Sequence, residues 1–255
     1  MIVEKFWQQK TVAQCIESLG LTEELAFGRV DLQQLRAEFD GQDQHTLVQA
    51  WLTGPEQQRF QQFRFAKRQV EWLGGRLAVK YAAASLLGGL GESGFWQQLQ
   101  VEAFDNGRPY LVCDHGQPAI SISHSGDLAV GMAAGKSRCG VDVQYLTPTI
   151  SKVEERYAHP DEIALWQRQI GPKKMTKEMF LTLLWSSKEA LRKAVDLTPL
   201  AGFLELRLRG IAEQPLGGFL LSLTCPRNKE QTELKTFSTI ATAGLACSVA
   251  VLRHS

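Results

Sequence analysis

Four stretches of this 255-residue chain combine side chains that could do chemistry. In Ser121-Ile-Ser123-His124-Ser125-Gly126, hydroxyls and one imidazole close an apolar run. A turn of that kind offers hydroxyls, backbone N–H groups and a ring nitrogen to an anion, although an ordinary polar turn reads the same way. It is not G-x-S-x-G, so a nucleophile elbow does not fit. In Gly140-Val-Asp142-Val-Gln144, a carboxylate sits inside an apolar strand, where a charge without a partner is costly. Strand alternation puts Asp142 and Gln144 on one face. A carboxylate and an amide oxygen are hard ligands suited to Mg²⁺, unless that face is simply wet. In Trp185-Ser-Ser-Lys188-Glu189-Ala-Leu-Arg-Lys193, Glu189 and Lys193 are one helical turn apart. Alone that is a surface ion pair worth about 0.3–0.5 kcal/mol. Trp185 and the apolar residues 180–184 argue instead for a buried helix. The fourth set is basic: Arg59, Arg64, Lys67, Arg68, Arg76 and Lys80. Arg64, Lys67 and Arg68 share a helical side and could hold phosphates, or be a solvated face.

These groups need elements to position them. The spacing Val12, Ile16, Leu19 predicts a helix ended by Gly20, and Asp31 caps a second one carrying Leu32, Leu35 and Phe39. Residues 1–45 therefore read as a helical N-terminal extension. A strand is predicted over 46–52, a turn at Gly54-Pro55, and a long helix over 56–87 with its weak point at Gly74-Gly75. Strands follow at 99–104, 119–123 and 129–134, the last apolar throughout and so central. The second half gives a strand at 140–146, a helix at 178–195, and strands at 204–208, 219–223 and 245–252.

The order of elements repeats. Trp72-x-x-x-Arg76-x-x-x-Lys80 and Trp185-x-x-x-Glu189-x-x-x-Lys193 superpose with a shift of 185 − 72 = 113. The fold predicted is α+β, in two pseudo-symmetric halves, each a long helix on a mostly antiparallel sheet. The halves are 46–137 and 138–255.

Composition sets outer limits. The apolar share is 44% and the charged share 22%, which excludes a disordered or fibrous chain. Net charge is 28 − 27 = +1, so there is no global field for nucleic acid. The basic set also lacks the interleaved aromatics of a single-strand binder. No apolar run approaches the roughly 18 residues a membrane helix needs. Five widely spaced cysteines without CxxC make neither a disulfide framework nor a zinc site. A cytoplasmic protein with buried thiols is expected.

Taken in order, Gly107-Arg-Pro, Ile122-Ser-His-Ser, Gly140-Val-Asp and Trp185-x-x-Lys-Glu-Ala-x-x-Lys resemble the motif series of Sfp-type 4′-phosphopantetheinyl transferases. The resemblance runs from about residue 47 to the C-terminus. It implies transfer of 4′-phosphopantetheine from coenzyme A to a serine of an acyl or peptidyl carrier protein, with release of 3′,5′-ADP and Mg²⁺ at the pyrophosphate. By motif, Asp142 and Glu189 look like metal ligands. Glu162, in His159-Pro-Asp-Glu162, matches the family's further acid. Gln144 stands where the family often has an acid, so a water could fill that ligand place. Ser123 and His124 look like contacts to the 3′-phosphate end of coenzyme A, with Arg108 near the phosphates. Trp72, Arg59 and Arg76 fall in the region that binds the nucleotide. Glu189 is expected to serve also as base for the carrier serine, and Lys193 to stabilise the departing phosphate. The resemblance further implies a monomer serving secondary metabolite biosynthesis.

Two other readings compete. Gln144 leans towards a degenerate binder of coenzyme A or of a carrier, while the retained Asp142, Lys188, Glu189 and Lys193 lean against it. A metal-dependent phosphohydrolase would need more paired acids than the sequence offers.

Overall fold

The computed structural model describes residues 3–41, 44–92, 94–195, 197, 199–227, 233–241 and 244–252. The chain forms two compact units, residues 1–12 with 23–137, and residues 13–22 with 138–255.

The first unit contains β1 (Val3–Lys5), the start of α1 (Gln9–Ser18), β2 (Leu25–Asp31), α2 (Leu32–Gly41), α3 (Gln44–Trp51), α4 (Gly54–Gln61), α5 (Ala66–Leu87), α6 (Phe95–Gln98), β3 (Gln100–Ala103), β4 (Pro109–Val112), β5 (Ala119–Ser125) and β6 (Leu128–Ala134). Its main sheet runs β1-β2-β6-β5, antiparallel throughout, and β3–β4 form a separate ribbon. The 22-residue α5 crosses β2, β6 and β5. Glycine makes that approach close: a Cβ at Gly131 would overlap the backbone of Val79, and one at Gly75 would lie 2.8 Å from the Ile122 side chain. All seven residues of β6 are buried, as an interior strand under a helix requires.

The second unit contains the end of α1, then β7 (Arg138–Tyr145), α7 (Pro148–Lys152), α8 (Pro160–Gln169), α9 (Lys177–Ala194), β8 (Arg207–Glu213), β9 (Phe219–Thr224), β10 (Leu234–Ile240) and β11 (Leu245–Leu252). Its antiparallel sheet runs β7-β11-β10-β9-β8, with α9 laid across β7, β11 and β10. Each unit is thus a long helix on an antiparallel sheet.

Several elements depart from the sequence reading. Residues 1–45 are not a wholly helical extension, because β1 and β2 supply half of the first sheet. The buried pattern of β2 is nearly continuous, so it shows no alternation to read. The expected strand at 46–52 is the helix α3, because Leu47/Trp51 and Val48/Leu52 pair at helical spacing and outweigh the β-formers Thr46 and Val48. The long helix breaks between Gln61 and Ala66, not at Gly74-Gly75. That glycine pair instead sits against Leu32 and Ile122. Residues 203–205 are a 3₁₀ turn, with the strand beginning at Arg207.

The internal repeat is sharper in the structure than in the sequence, and lies in a different register. In the first unit Glu56, on α4, is buried. It accepts from the Thr53 N–H (2.9 Å), the Val101 N–H (3.1 Å) and Lys80 Nζ (2.5 Å), and Lys80 also donates to the Trp51 carbonyl (2.9 Å). In the second unit Glu162, on α8, accepts from the His159 N–H (2.8 Å), the Leu208 N–H (2.6 Å) and Lys188 Nζ (2.9 Å), and Lys188 donates to the Tyr157 carbonyl (2.7 Å). Each acid caps its helix, binds a strand and receives the fully buried lysine of the long helix. The matching shifts are 162 − 56 = 106 and 188 − 80 = 108, so Lys80 corresponds to Lys188, not to Lys193.

Candidate active site

In the second unit two of the candidate residues, Asp142 and Lys193, meet where α9 crosses β7. Gly140 permits the approach: a Cβ there would overlap the Ala190 carbonyl oxygen. The helix-facing side of the sheet is built from small residues in register, with Gly140 opposite Ala250, Asp142 opposite Ser248, and Gln144 opposite Ala246. Asp142 is 6% exposed. Its Oδ1 accepts from Lys193 Nζ at 2.9 Å, and the same ammonium donates to the Val141 carbonyl at 2.9 Å. Ser186 Oγ donates to the Asp142 carbonyl at 3.0 Å. Ser186, Glu189 and Lys193 are spaced three and four apart, hence form one stripe of α9. The first and last members of that stripe contact β7, with Glu189 between them in sequence.

Glu189 does not pair with Lys193 one turn on. Its carboxylate accepts from Arg192 Nη1 at 2.6 Å, while Arg192 donates through Nε to the Ala201 carbonyl and lies over the Phe203 ring. Both Glu189 and Arg192 side chains are 22% exposed, so the carboxylate remains within reach of solvent. The sequence reading missed Arg192, and its i,i+3 spacing from Glu189 was the available signal. Gln144 is partly buried and uses its amide N–H on the Tyr145 carbonyl (3.0 Å), which leaves the amide oxygen as the ligand atom.

Glu162 leaves the metal set. Both of its oxygens are consumed by two backbone N–H groups and Lys188, and it is fully enclosed. Burial pulls the Lys188 ammonium below its ordinary range, opposed by the Glu162 charge. Among the described residues no three His, Cys, Asp or Glu side chains cluster as a closed metal cage. Asp142 and Glu189 on facing elements still fit Mg²⁺, which is commonly held by one or two carboxylates with waters and substrate phosphates supplying the rest.

In the first unit the residues fall into three places. Ser123 and His124 lie within β5, not in the turn after it; the turn is the two-residue Gly126-Asp127, with Gly126 at φ 55°. Consecutive strand residues face opposite sides, so the side chains of Ser123, buried, and His124, exposed, diverge. Arg108 follows Gly107 (φ 83°) in the β3–β4 hairpin, its guanidinium 5.0 Å from the Phe104 ring centroid. Arg59, Arg76 and Trp72 do come together. Arg76 lies 3.9 Å over Trp72, Trp72 packs on Phe63 (5.5 Å), and Arg59 and Arg68 lie over that Phe63 ring at 5.5 and 5.8 Å. Burial pulls the Arg76 pKa down to about 10; the Glu56 charge opposes this, and Arg68 and Arg59 add to it. Three guanidiniums that repel one another on an aromatic shelf are an arrangement that an anion relieves. Lys80, of the same basic set, is not available to a ligand because Glu56 holds it.

The profile of the 4′-phosphopantetheinyl transferase superfamily matches residues 138–250. The holo-[acyl-carrier-protein] synthase of Anoxybacillus flavithermus is 36% identical over 90 residues, which cover 34% of this chain and 74% of that protein. The holo-[acyl-carrier-protein] synthase of Exiguobacterium sibiricum is 34% identical over 111 residues, covering 43% and 84%. Among solved structures, a Bacillus anthracis holo-(acyl-carrier-protein) synthase in complex with CoA (3′,5′-ADP) superposes with a TM-score of 0.39 at 24% identity, over 43% of this chain and 92% of that one.

Proposed function

The chain belongs to the 4′-phosphopantetheinyl transferase superfamily, and from that premise we propose how its own residues divide the work of moving 4′-phosphopantetheine from coenzyme A to a serine of an acyl or peptidyl carrier domain. The observation that carries the assignment is the contact of Lys193 with Asp142, with Glu189 on the same helical stripe.

In the reaction a serine oxygen forms a bond to the β-phosphorus, the bond from that phosphorus to the 3′,5′-ADP oxygen breaks, and the serine proton must leave. Transfer of this kind is driven by positioning and charge stabilisation. Glu189, solvent-reachable, takes the serine proton. Lys193, held by Asp142 and the Val141 carbonyl, presents a fixed cation to the departing phosphate. Asp142 and Glu189, with the Gln144 amide oxygen directly or through water, would hold Mg²⁺, which when bound neutralises charge on the pyrophosphate. Arg59 and Arg76 on the Trp72–Phe63 shelf are the nucleotide-binding group of this reading, with Arg108 and the exposed His124 as separate anion contacts and the buried Ser123, on the opposite face from His124, as the weakest member of the set.

A carrier domain is the protein partner in this reading, and secondary metabolite biosynthesis the process served. Two compact units within one chain support action as a monomer. All five cysteines are free thiols, which supports a reducing, cytoplasmic setting. No helix among the described residues is long and apolar enough to cross a membrane.

The test is intact-mass spectrometry of an apo carrier protein incubated with the chain, coenzyme A and Mg²⁺. A gain of about 340 Da on the carrier, abolished by EDTA and by Glu189→Ala, is expected. Coenzyme A binding without any gain across several carriers would replace the transferase with a degenerate binder.

A further inference from the structure

Beside Asp142 lies a row of buried serines that the mechanism has not used. Asp142 on β7 is directly opposite Ser248 on β11, and Ser248 is directly opposite Ser238 on β10. Cross-strand partners share a face, so the three side chains form one line across the sheet under α9. Ser187, on α9, closes the line from above: its Oγ is 2.9 Å from Ser238 Oγ and 3.3 Å from Ser248 Oγ, and Ser238 Oγ donates to Ser248 Oγ at 2.8 Å. All three hydroxyls are fully buried. The preceding residue, Ser186, bonds the Asp142 carbonyl.

Around this cluster the helix meets the sheet mostly through apolar groups, with Gly140, Ala246 and Ala250 near Ala190, Leu191 and Ala194, and Thr236 is a further buried hydroxyl on that face. Apolar contact is non-directional and tolerates sliding or rotation of a helix on a sheet. Hydrogen bonds have preferred distances and angles. A buried hydroxyl that loses its partner carries the desolvation cost. The cluster therefore opposes rotation and sliding of α9 at residues 186 and 187, immediately before the stripe that carries Glu189 and Lys193. One turn of slip, 5.4 Å, would separate Lys193 from Asp142.

We propose that Ser187, with Ser238 and Ser248, is a positioning device that sets the rotation and register of α9, so that Lys193 meets Asp142 with Glu189 one turn before it. This rests on the reading of those three residues as the reacting site.

The full chain is compared as wild type, Ser187→Ala, Ser238→Ala and Thr182→Ala. Thr182 is the control: a fully buried hydroxyl of the same helix, bonded only locally to the Glu178 carbonyl. Expected for Ser187→Ala is a fall in kcat of about tenfold with KM for coenzyme A within about twofold, the size of effect that one net hydrogen bond supports. Amide hydrogen exchange, read by mass spectrometry, should speed up over residues 186–194 and stay unchanged over 177–183. Ser238→Ala, which removes the far end of the line, should show a smaller version of both and serves if Ser187→Ala does not fold. Thr182→Ala should lower thermal stability without the kcat fall. Wild-type exchange over 186–194 in Ser187→Ala, or an equal kcat fall in Thr182→Ala, overturns the proposal. Exchange decides it even where the wild type transfers nothing, an outcome that would sink the transferase reading separately.

Discussion

Lys193 reaches from α9 to Asp142 on β7, Nζ to Oδ1 at 2.9 Å, and leaves Glu189, one turn before it, to Arg192. The ion pair that sequence spacing suggests is thus exchanged for two others. One of them crosses between elements and ties the strand carboxylate to the helix. Asp142 and Lys193 are consequently one unit in which neither charge is well compensated alone. Lys193→Met should lower kcat about 10- to 100-fold, the value of a charge-assisted bond, and Asp142→Asn should do likewise. The double variant should cost far less than the product of the two. Steady-state kinetics in a double-mutant cycle reads this coupling; additive losses would disprove it.

Glu162 and Lys188 should behave as a folding pair. Breaking a fully buried pair by removing one partner costs about 3–5 kcal/mol, while replacing both with apolar residues recovers much of that. Lys188→Met and Glu162→Gln should each lower the denaturation midpoint sharply, and Glu162→Leu with Lys188→Met should restore part of it. The restored variant should keep wild-type Mg²⁺ dependence of turnover. A weakened Mg²⁺ requirement in that variant would return Glu162 to the metal set.

Glu162 is placed with the metal only by the motif resemblance. Its neighbours, His159-Pro-Asp-Glu162, read equally as a helix start, and a helix start with Pro at N1 and Glu at N3 is a cap before it is a ligand. Nothing local separates the two; only the arrival of Lys188 from α9 and of the Leu208 N–H from β8 does. The same holds for Glu56, whose partners Lys80 and Val101 lie 24 and 45 residues away. The helix α9 was legible by its periodicity, and β6, β9 and β11 by their largely apolar runs, each within two residues of its observed bounds. The strand β2 and the helix α3 were not: Gly28 and Arg29 interrupt the apolar run of β2, whose burial shows no alternation either, and in α3 β-formers occupied helical spacing. The grouping of Asp142, Glu189 and Lys193 came from the motif resemblance and not from residue type alone. The pairing among them required the tertiary approach that Gly140 allows.

The Glu56–Lys80 pair gives a pH dependence. Burial lowers the Lys80 pKa below its ordinary 10.5, and the Glu56 charge and hydrogen bond raise it again. Glu56→Gln removes the raising contribution, so the folded-state pKa falls further. Between that lowered value and 10.5 the unfolded chain binds more protons than the folded one, and stability rises with pH. The variant should therefore be much less stable than wild type at pH 7, and the deficit should shrink as pH rises through the interval between the variant's Lys80 pKa and the wild type's, both below 10.5. Urea midpoints at pH 7, 8, 9 and 10 measure it. A deficit that stays constant or widens contradicts the assignment.

The Arg76 guanidinium carbon lies 3.9 Å from the Trp72 ring centroid, and its buried Nε has no hydrogen-bond partner among the described residues. A guanidinium so placed is stacked and still able to donate, which suits a phosphate. Arg76→Ala should weaken coenzyme A binding about tenfold and flatten its salt dependence. Arg76→Lys should recover little, because an ammonium does not stack or fork in the same way. Isothermal calorimetry at two salt concentrations separates these; full recovery by lysine would reduce Arg76 to a point charge.

Gly140 sets the distance on which the whole corner depends. A methyl there overlaps the Ala190 carbonyl oxygen and approaches the Ala194 N–H at 3.0 Å, both rigid helix backbone and not a side chain that can swing away. Gly140→Ala must therefore push α9 off β7. Overpacking of this kind costs about 1–3 kcal/mol. The same displacement lengthens the Lys193–Asp142 contact, so activity should fall further than stability alone explains. Gly54→Ala is the matched control, since nothing lies within 4 Å of its Cβ position. Thermal midpoints and kcat, taken together at a temperature where both variants are folded, test this. If Gly140→Ala is fully folded and has wild-type kcat, the close approach of α9 to β7 is not what brings Lys193 to Asp142.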